Sequence, residues 1–341
     1  MSKTLAYFVN DISTSFVHKD LQLVSKSFEK VLLFSTEPVP ERHLVPKHVE
    51  IIDEFMDWNR FDMKKTLIRF LPSILSIYLF ESLKSRQFLP FKTTLALIAS
   101  NIFKANELIR HLTHRHIAVT DIQLYYSFWF YDCIYLAWLK RSYSSIKVIS
   151  RAHGGDLFED RDSISNRPLL RNFQLTYLNK VYSVSDMGTN YLRKRYANFS
   201  DKIQTVFLGT EDYNTLNPFQ SNQLIIVSCA SIRYMKRIEV IAETISHLKG
   251  PVIWYHFGSE NLESNEPCIP EYLRWKSILQ GMQNVEYKPM GYCSNEDLMQ
   301  FYKTQPVNLF ISLSAAEGIP VSMMEAISFG IPVLSTDVGG C

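Results

Sequence analysis

Short apolar runs rich in β-branched and aromatic residues alternate with longer amphipathic stretches along most of the 341-residue chain. A first series of strand-like runs begins at Leu5–Val9 and ends at Ile203–Leu208. After a polar stretch at 210–223, a second series extends from Leu224–Cys229 to Pro332–Ser335. Strands that alternate with helices predict parallel, doubly wound sheets, which bind ligands at the carboxyl ends of their strands. The sequence therefore predicts an α/β protein with two Rossmann-like domains.

The polar stretch between the two series marks the predicted domain boundary. Few of its residues are apolar, and the strand-like pattern restarts only at Leu224. We therefore place an N-terminal domain at 1–216 and a C-terminal domain at 217–341. A cleft between two such domains is the expected ligand site, because pockets form preferentially at domain interfaces.

Residues 62–114 interrupt the β/α alternation with two long helical patterns, which predict a helical insertion in the N-terminal domain. Apolar residues such as Leu67, Ile74 and Ile77 recur there at helical spacing. The segment 60–118 contains ten Lys or Arg and three Asp or Glu, a local surplus of +7. A hairpin that packs on its own domain is one interpretation, and a basic, partly apolar surface that binds an anionic membrane leaflet is another. The two are compatible, because one face can pack while another binds.

Composition and net charge exclude several other classes of protein. The chain is 46% hydrophobic and 21% charged, which is typical of a folded domain and not of a disordered chain or a coiled coil. Its net charge of +2 is too small to indicate nucleic acid as the main partner.

Two further features concern the cellular compartment. Five cysteines without a Cys-x-x-Cys pair predict free thiols in a reducing compartment. The longest apolar stretch, Phe70–Phe80, is about half the roughly 20 residues that a membrane span requires. We therefore predict a cytoplasmic protein, with the basic segment as a peripheral contact at the inner face of the cell membrane.

The segment 314–340 carries the most informative pattern in the chain. The apolar run Val307–Ile311 predicts a strand that opens into a loop and then a helix, with Pro320 in the first helical turn and Gly330 just beyond the last. Backbone N–H groups at the start of this helix predict an anion site, because the helix dipole supports negative charge there. The residues at this start are Gly318, Ile319, Pro320 and Val321.

Two glutamates accompany the predicted anion site. Glu317 lies at its mouth, and Glu325 lies eight residues on, about two turns into the helix. A phosphate at the helix start and hydroxyl groups within reach of the carboxylates describe a nucleotide sugar. For the spacing alone, a capped helix with surface carboxylates is the better interpretation. Here, however, the spacing is flanked by Glu-Gly-Ile-Pro-Val-Ser and Asp-Val-Gly-Gly.

This combination resembles glycosyltransferase family 4, a family of retaining enzymes with the GT-B fold that use nucleotide-diphosphate sugars. The resemblance is strongest over 224–340, good over 147–209 and weak through the first 120 residues. It implies a C-terminal domain that binds the donor, with Glu317 on the hydroxyls of the donor sugar and Glu325 on the ribose. The backbone after Glu317 would hold the diphosphate, and the two domains would face each other across a cleft.

A second match lies at 226–238, where the family has a strand and loop whose Arg and Lys neutralise the leaving diphosphate. Lys236 aligns with the family's lysine, but Ser231 stands at the usual position of the arginine. The resemblance therefore implies that Arg233 or Arg237 reaches the diphosphate instead, or that the donor binds more weakly than usual. The solvated start of a helix is the alternative interpretation of Lys236 and Arg237.

A third match is Arg-Ala-His-Gly-Gly-Asp at 151–156, which resembles the family's His-Gly-x-Asp motif. The predicted strand before it ends at Ser150, and glycines at such a position let the backbone approach a ligand. The family's histidine contacts the donor or the transition state, so the resemblance makes His153 a candidate catalytic residue, together with Glu317. A histidine with a purely structural role is the alternative, and Asp156 has the alternative role of capping the next turn.

The resemblance implies an enzyme that moves a hexosyl unit from a nucleotide-diphosphate sugar to a growing saccharide, with retention of anomeric configuration. Similar sequences build cell-surface polysaccharide and lipopolysaccharide on a polyprenyl diphosphate carrier, so the expected acceptor is a saccharide, in particular a lipid-linked one. No Asp-x-Asp pair stands at a predicted strand end, in keeping with the metal-independent pattern that the resemblance implies. We therefore expect no cofactor besides the donor and no obligatory metal.

Two alternatives stay open at this point. One is a GT-B nucleotide-sugar epimerase, which forms its product from the donor alone. The other is a non-catalytic nucleotide-binding protein, because the chain stops at Cys341, just after the motif's last strand, where family members continue with further elements of the donor domain. A shortened donor domain with apolar surface exposed near its C-terminus is therefore expected.

Overall fold

The computed structural model of the chain describes most of its length. Described residues are 3–12, 15–39, 42–53, 55–56, 61–85, 89–159, 169–219, 222–259 and 266–341. Arg60 and Arg86 of the predicted basic segment lie outside these ranges. The chain divides into two compact units, Met1–Val206 and Phe207–Cys341, each with its own sheet.

The N-terminal unit is built on a parallel sheet of seven strands in the order β3-β2-β1-β4-β5-β6-β7. Its strands are β1 (Thr4–Val9), β2 (Lys30–Ser35), β3 (Val49–Ile52), β4 (Leu124–Ser127), β5 (Val148–Ala152), β6 (Lys180–Ser183) and β7 (Ile203–Thr205). Every residue of β1 is buried, because apolar clusters cover both faces of the sheet. Strands buried on both faces consist of continuous apolar runs, which is the pattern that predicts most of them here.

Seven helices accompany this sheet in the described part of the N-terminal unit. They are α1 (Ser15–Ser25), α2 (Met63–Ser85), α3 (Phe91–His114), α4 (Ile134–Ser142), α5 (Gly154–Leu157), α6 (Arg171–Tyr177) and α7 (Asp186–Arg195). The long helices α2 and α3 confirm the predicted helical insertion. Because α2 packs on α3 and α6, whereas α4 packs on the sheet through β5, α2 forms an outer layer of the unit.

The C-terminal unit is built on a parallel sheet of five strands in the order β10-β9-β8-β11-β12. Its strands are β8 (Leu224–Cys229), β9 (Val252–Phe257), β10 (Val285–Gly291), β11 (Leu309–Ser312) and β12 (Val333–Ser335). Its helices are α8 (Ile238–Ser246), α9 (Ile269–Gly281), α10 (Asn295–Thr304) and α11 (Val321–Ser328). One apolar cluster lies around Trp254 and another around Phe310, which gives the sheet a core on each face.

Local residue chemistry explains where α10 begins and where α11 ends. The Ser294 hydroxyl accepts a hydrogen bond from the N–H of Asp297 (3.1 Å), which caps the start of α10. Just beyond α11, Gly330 has a φ of +71°, a left-handed conformation that favours glycine. The predicted place of Gly330 after the last turn is therefore confirmed.

The division between the units lies after Val206, earlier than the predicted boundary at 216. The segment from 207 onwards packs on the C-terminal unit. Tyr213 stacks on Phe329, with ring centroids 4.9 Å apart, and the side-chain amide of Asn217 donates to the carbonyl of Tyr302 (2.7 Å). The prediction used the polarity of the linker, and polarity does not tell which sheet a linker packs against.

Candidate functional site

The neighbouring strands β8 and β11 of the C-terminal sheet form a topological switch point. From β8 the chain passes through α8 to β9 on one side, and from β11 it passes through α11 to β12 on the other. The crevice at the carboxyl ends of such a pair is the usual ligand site of an open α/β sheet. Both predicted donor-binding segments lie here, because 226–238 includes the end of β8 and the loop after it, and 314–340 begins in the loop after β11.

An ion pair joins these two loops. Lys236 Nζ lies 2.7 Å from Glu317 Oε1, across 81 residues of sequence. A backbone hydrogen bond from the N–H of Ala315 to the carbonyl of Met235 (2.8 Å) also links the two loops. Glu317 is only 8% exposed, whereas Lys236 is half-buried, so the carboxylate depends on this lysine for charge compensation. The structure therefore brings together the predicted lysine and the first predicted glutamate.

Two glycines let neighbouring loops approach this region closely. Gly339, after β12, has a φ of +65°, and a Cβ there would lie 2.0 Å from the carbonyl oxygen of Glu317. Gly258, after β9, has a φ of +153°, and a Cβ there would lie 1.9 Å from the carbonyl oxygen of Ala230. A side chain at either position would push the loops apart. The close approach of the loop that holds Glu317 thus explains the glycine at 339.

The start of α11 provides a candidate anion site. Pro320 is the N-cap residue in an extended conformation (ψ of 100°), so the helix begins one residue later than predicted. The N–H groups of Gly318, Ile319 and Val321 donate no hydrogen bond to any residue that the structure describes. Unpaired N–H groups at a helix start attract an anion, because the helix dipole adds partial positive charge there.

The second predicted glutamate, Glu325, lies on the buried face of α11 and is 3% exposed. Its Oε1 accepts a hydrogen bond from the side-chain amide of Asn295 (2.8 Å), the first residue of α10. Burial, and then repulsion from Glu211 and Glu325, raises the pKa of Tyr213 to about 12. The phenol of Tyr213 is therefore among the groups that interact electrostatically with the carboxylate of Glu325. Because an amide is a neutral donor, Asn295 orients Glu325 without neutralising its charge.

The two candidate arginines are placed differently from Lys236. Arg233 is exposed and precedes the short 3-10 turn at 234–236. Arg237 follows that turn in a left-handed conformation, with a φ of +50°, and its guanidinium interacts electrostatically with Glu239 on α8. Within the described ranges, neither arginine forms an ion pair with Glu317 or with the second glutamate. The structure therefore brings Lys236 to Glu317, whereas neither arginine pairs with that carboxylate.

His153 lies in the N-terminal unit, at the carboxyl end of β5 and directly before α5. Its ring stacks on Phe128, with centroids 4.4 Å apart, and contacts Trp129 at 4.7 Å. The side chain is 6% exposed, and neither ring nitrogen has a hydrogen-bond partner among the described residues, which is unusual for a buried polar group. Burial, and secondarily the charge of Arg151, lowers the pKa of His153 to about 3. The imidazole is therefore neutral near pH 7, and both of its nitrogens are buried.

Asp156, the last residue of the third motif, supports the loop that carries this histidine. Its carboxylate accepts hydrogen bonds from the N–H of His153 (2.6 Å) and from the N–H of Phe130 (2.5 Å). Burial raises its pKa to about 6, although Arg171 and these N–H groups oppose the shift. The first bond caps the start of α5, the turn that contains Asp156, whereas the predicted alternative was a cap of the next turn. The second bond ties the start of α5 to the loop after β4.

A pH-dependent stability is expected from His153. Between pH 3 and pH 6.5 the folded state binds fewer protons at this residue than the unfolded chain does, so stability falls as the pH falls. Replacement of His153 by phenylalanine keeps the aromatic packing and removes the titration. When the pH falls from 7 to 5, the free energy of unfolding of the variant should therefore decrease by about 2 kcal/mol less than that of the natural protein.

Urea unfolding of both proteins at the two pH values measures this difference. Asp156 acts in the opposite direction, because its raised pKa lets the folded state keep a proton up to about pH 6. That contribution is common to both proteins and cancels in the comparison. If the free energy of unfolding changed equally with pH in the two proteins, His153 would be protonated in the folded state at pH 5.

Sequence reasoning missed a buried ion pair beneath this histidine. Arg151 of β5 forms a salt bridge with Asp20 of α1, and both side chains are buried. The hydroxyls of Tyr7 and Tyr126 each donate to Asp20 Oδ2 at 3.0 Å. No local signal marks Asp20, whereas the aromatic run Tyr-Tyr-Ser-Phe-Trp-Phe-Tyr at 125–131, around the end of β4, could have predicted the aromatic surroundings of His153.

Comparison with known sequences identifies a family model that matches the C-terminal unit and relatives that match about a third of the chain. The family model described as "Glycosyl transferases group 1" matches residues 210–341. The O-antigen biosynthesis glycosyltransferase WbnH of Escherichia coli is 31% identical over 121 residues, which are 35% of this chain and 30% of the relative. WbiN of Escherichia coli, a probable O-antigen biosynthesis glycosyltransferase, matches with the same values. The matched stretch thus spans under a third of these curated relatives.

Comparison with solved structures concerns nearly the whole chain. The lipopolysaccharide outer core galactosyltransferase WaaB superimposes with a TM-score of 0.63 at 14% identity, over 99% of this chain and 82% of that one. HepE of Anabaena, solved with UDP and glucose, gives a TM-score of 0.62 at 11% identity, over 99% and 82% of the two chains. The fold is GT-B. The predicted fold class is thereby confirmed, and at such low identity the likeness concerns the fold alone.

Proposed function

We propose that this chain is a glycosyltransferase that moves a hexosyl unit from a nucleotide-diphosphate sugar to a saccharide acceptor. One observation carries the proposal: the Lys236–Glu317 pair lies at the switch point of a GT-B sheet, and the loop of Glu317 also carries the unpaired N–H groups of Gly318, Ile319 and Val321. A cation, an anion site and a buried carboxylate match a diphosphate joined to a sugar. The match of 210–341 to a glycosyltransferase family model supports the same assignment.

Lys236 and the start of α11 are assigned to the diphosphate. Negative charge grows on this leaving group as the glycosidic bond breaks, and preorganised positive groups there stabilise the transition state most strongly. In the proposal, Lys236 Nζ shifts from Glu317 to the diphosphate when the donor binds. The two arginines, Arg233 and Arg237, remain further candidates for the diphosphate.

The carboxylates are assigned to hydroxyl groups of the donor. Once its lysine has turned to the diphosphate, Glu317 accepts hydrogen bonds from the sugar, and Glu325 accepts them from the ribose, because an ionised carboxylate has acceptor sites for several hydroxyls. His153 is the proposed catalytic residue of the N-terminal unit. Its neutral imidazole has one N–H donor and one acceptor nitrogen, so it can hydrogen-bond a sugar hydroxyl without carrying charge.

Retention of anomeric configuration and independence of an obligatory metal are part of the proposal, and both come from the resemblance to family 4. We assign to Lys236 and the helix start the charge that a divalent cation would otherwise supply to the leaving group. A front-face route, in which the leaving phosphate oxygen accepts the proton of the incoming hydroxyl, requires no protein nucleophile.

The proposed acceptor is a saccharide carried on a lipid, such as a polyprenyl diphosphate, at the cytoplasmic face of the cell membrane. Two observations support it. The relatives WbnH and WbiN are named for O-antigen biosynthesis. The N-terminal unit also carries the basic helical insertion, which suits a membrane-bound acceptor.

Two other functions fit parts of the same site. A nucleotide-sugar epimerase would use the same donor groups and would release product without an acceptor. A nucleotide-binding protein without catalysis would use Glu325 and the anion site alone. Incubation with donor, with and without a lipid-linked saccharide, separates all three. Only the transferase consumes the acceptor, only the epimerase converts the donor without an acceptor, and the binding protein does neither.

A thermal-shift titration with UDP, GDP, ADP and CMP, with and without Mg²⁺, is the first test of the donor site. Binding at about one hundred times Kd raises the stability by about 2.7 kcal/mol, which is readily measured. We expect one diphosphate to shift the melting temperature, with no requirement for Mg²⁺, and UDP stands for that diphosphate in the other binding experiments. A shift that needs Mg²⁺ would contradict metal independence, and the absence of any shift would contradict the donor site itself.

A further inference from the structure

The helix α2 presents an apolar stripe to the surroundings. Ile68 and Leu83 are 79% and 78% exposed, and Leu71 and Leu79 between them are 44% and 57% exposed. Their spacing of three, four or eight residues places all four on one side of the helix. Exposed apolar side chains scattered singly are normal on a protein surface, but a contiguous stripe along a helix marks a binding surface.

Cations accompany this stripe. Lys64, Lys65 and Arg69 lie on its N-terminal half, and all three are exposed. The nearby acid in α2, Glu81, is buried on the opposite side of the helix. Asp62, just before α2, pairs with Lys65. The outer face of α2 is therefore apolar along its centre and positive at its N-terminal end.

The opposite side of α2 is fixed to the N-terminal unit. Ile74 and Ile77 are buried in an apolar cluster shared with α3 and α6. The Glu81 carboxylate accepts hydrogen bonds from the N–H of Asn172 (3.1 Å) and from the N–H of Phe173 (2.8 Å), at the start of α6. These contacts hold α2 along the surface of the unit.

Length and composition alone would allow α2 to cross a membrane, since Met63–Ser85 passes that criterion with a mean hydropathy of 1.3. A core helix of a soluble protein passes the same criterion, but such a helix is mostly buried, whereas 17% of the apolar window of α2 is buried. A spanning helix would have to give up the bonds of Glu81 and the packing of Ile77. An amphipathic helix that lies in the plane of the interface keeps both.

We propose that the outer face of α2 binds an anionic lipid leaflet, with the stripe Ile68–Leu83 at the boundary of headgroups and acyl chains and the flanking cations at the headgroups. This inference deepens the proposed function, on which it rests for the choice of a membrane where the acceptor resides. The physical basis is general: apolar side chains supply burial, and each cation near an anionic surface adds attraction that salt weakens.

Sedimentation of the full chain with vesicles tests this surface. One set of vesicles contains phosphatidylcholine alone, and the other contains equal parts of phosphatidylcholine and phosphatidylglycerol. The apolar variant is Ile68→Gln, Leu79→Gln and Leu83→Gln together, and the charge variant is Lys64→Gln, Lys65→Gln and Arg69→Gln together. A matched control places glutamine at three exposed leucines outside α2, namely Leu23, Leu216 and Leu273.

The natural chain should sediment with the anionic vesicles, and added salt should release it. Each cation removed should weaken binding to anionic vesicles by about fivefold, and each apolar residue removed should do so by a similar factor of about five. The control variant should bind as the natural chain does. Circular dichroism and the UDP-induced thermal shift of every variant report whether the fold and the donor site are kept.

Three outcomes would overturn the inference. Equal binding of the natural chain and both α2 variants would place the membrane contact elsewhere. A concentration-dependent dimer that the apolar variant abolishes, without vesicle binding, would make the stripe an interface between copies of this chain. Resistance to extraction at alkaline pH would indicate a spanning helix. Because the donor site is tested by UDP alone, a failure of the proposed function and a failure of the membrane surface are distinguishable.

Discussion

Replacement of Lys236 by methionine is expected to lower the rate of glycosyl transfer by about 100- to 1000-fold, because removal of one preorganised group that stabilises transition-state charge has an effect of this size. In the structure this lysine is the cation that reaches Glu317, at 2.7 Å, whereas Arg233 is exposed and Arg237 interacts with Glu239. Neither of these arginines forms an ion pair with Glu317 in the described part of the chain. The measurement is turnover of the donor that the thermal-shift titration identifies.

A structural side effect has to be separated from this loss. Without Lys236, the buried carboxylate of Glu317 loses its compensating charge, which destabilises the C-terminal unit. The double variant Lys236→Met with Glu317→Gln removes that charge as well and should restore most of the melting temperature. Turnover should stay low in the double variant, because the diphosphate still lacks its cation and the donor sugar has lost the carboxylate of Glu317.

Binding of diphosphate and nucleoside gives the sharpest control. Lys236→Met should weaken the binding of UDP and leave the binding of uridine unchanged, because uridine has no phosphate. Lys249→Met, an exposed lysine after α8, should alter neither. Equal loss of both ligands in the Lys236 variant would show that the lysine acts through the fold of the site and not on the diphosphate.

The strands of the C-terminal unit could be predicted well from sequence because each is a short apolar run. Val252–Phe257 is one example, with the buried Trp254 at its centre. The edge strand β3 (Val49–Ile52) was not predicted, because it is only four residues long and includes a glutamate. The strand β3 is defined by its pairing with β2. Such pairing between segments that are distant in sequence leaves no pattern in the residues of β3 itself.

The candidate donor site could be predicted from sequence for a similar reason. Gly318, Glu317 and Glu325 lie in one continuous segment, so their spacing along a loop and a helix is visible before folding. The partners of these residues come from elsewhere. Asn295 on α10 donates a hydrogen bond to Glu325 on α11. The sequence around Asn295 gives no sign of this contact, because the two residues are brought together only when the unit folds.

The predicted role of the arginines could not be decided from sequence, because it depends on backbone direction over a few residues. Arg237 takes a left-handed conformation, which turns the chain from the 3-10 helix at 234–236 into α8. Lys236 and Arg237 are adjacent in sequence but interact with different carboxylates: Lys236 pairs with Glu317, and Arg237 interacts electrostatically with Glu239. Side-chain direction after such a turn follows from tertiary packing and not from motif spacing.

The second large effect is expected at Glu325. Replacement of Glu325 by alanine should weaken the binding of UDP by about 10- to 100-fold, because hydrogen bonds to a charged group contribute about 1.5 to 3 kcal/mol. The carboxylate is 3% exposed and is oriented by Asn295 at 2.8 Å, so it is preorganised for the ribose hydroxyls. Isothermal titration with UDP measures the loss directly.

Ligands that lack the ribose hydroxyls assign the effect to this contact. For the natural chain, 2′,3′-dideoxy-UDP should bind about 10- to 100-fold more weakly than UDP. For Glu325→Ala the two ligands should bind alike, because the acceptor of those hydroxyls is gone and the two losses are not additive. A persistent preference for UDP in the variant would place the ribose elsewhere in the unit.

Two further variants separate the ribose contact from packing and from bulk charge. Asn295→Ala keeps the carboxylate and removes its orientation, so it should weaken UDP binding by less than Glu325→Ala does. Glu296→Ala removes an exposed carboxylate on the same helix, α10, and should leave UDP binding unchanged. If Glu296→Ala weakened binding as much as Glu325→Ala, the ligand would be sensing the overall potential of the unit. A smaller effect at Glu296, together with lost discrimination between UDP and its dideoxy analogue, assigns the ribose to the buried carboxylate of α11.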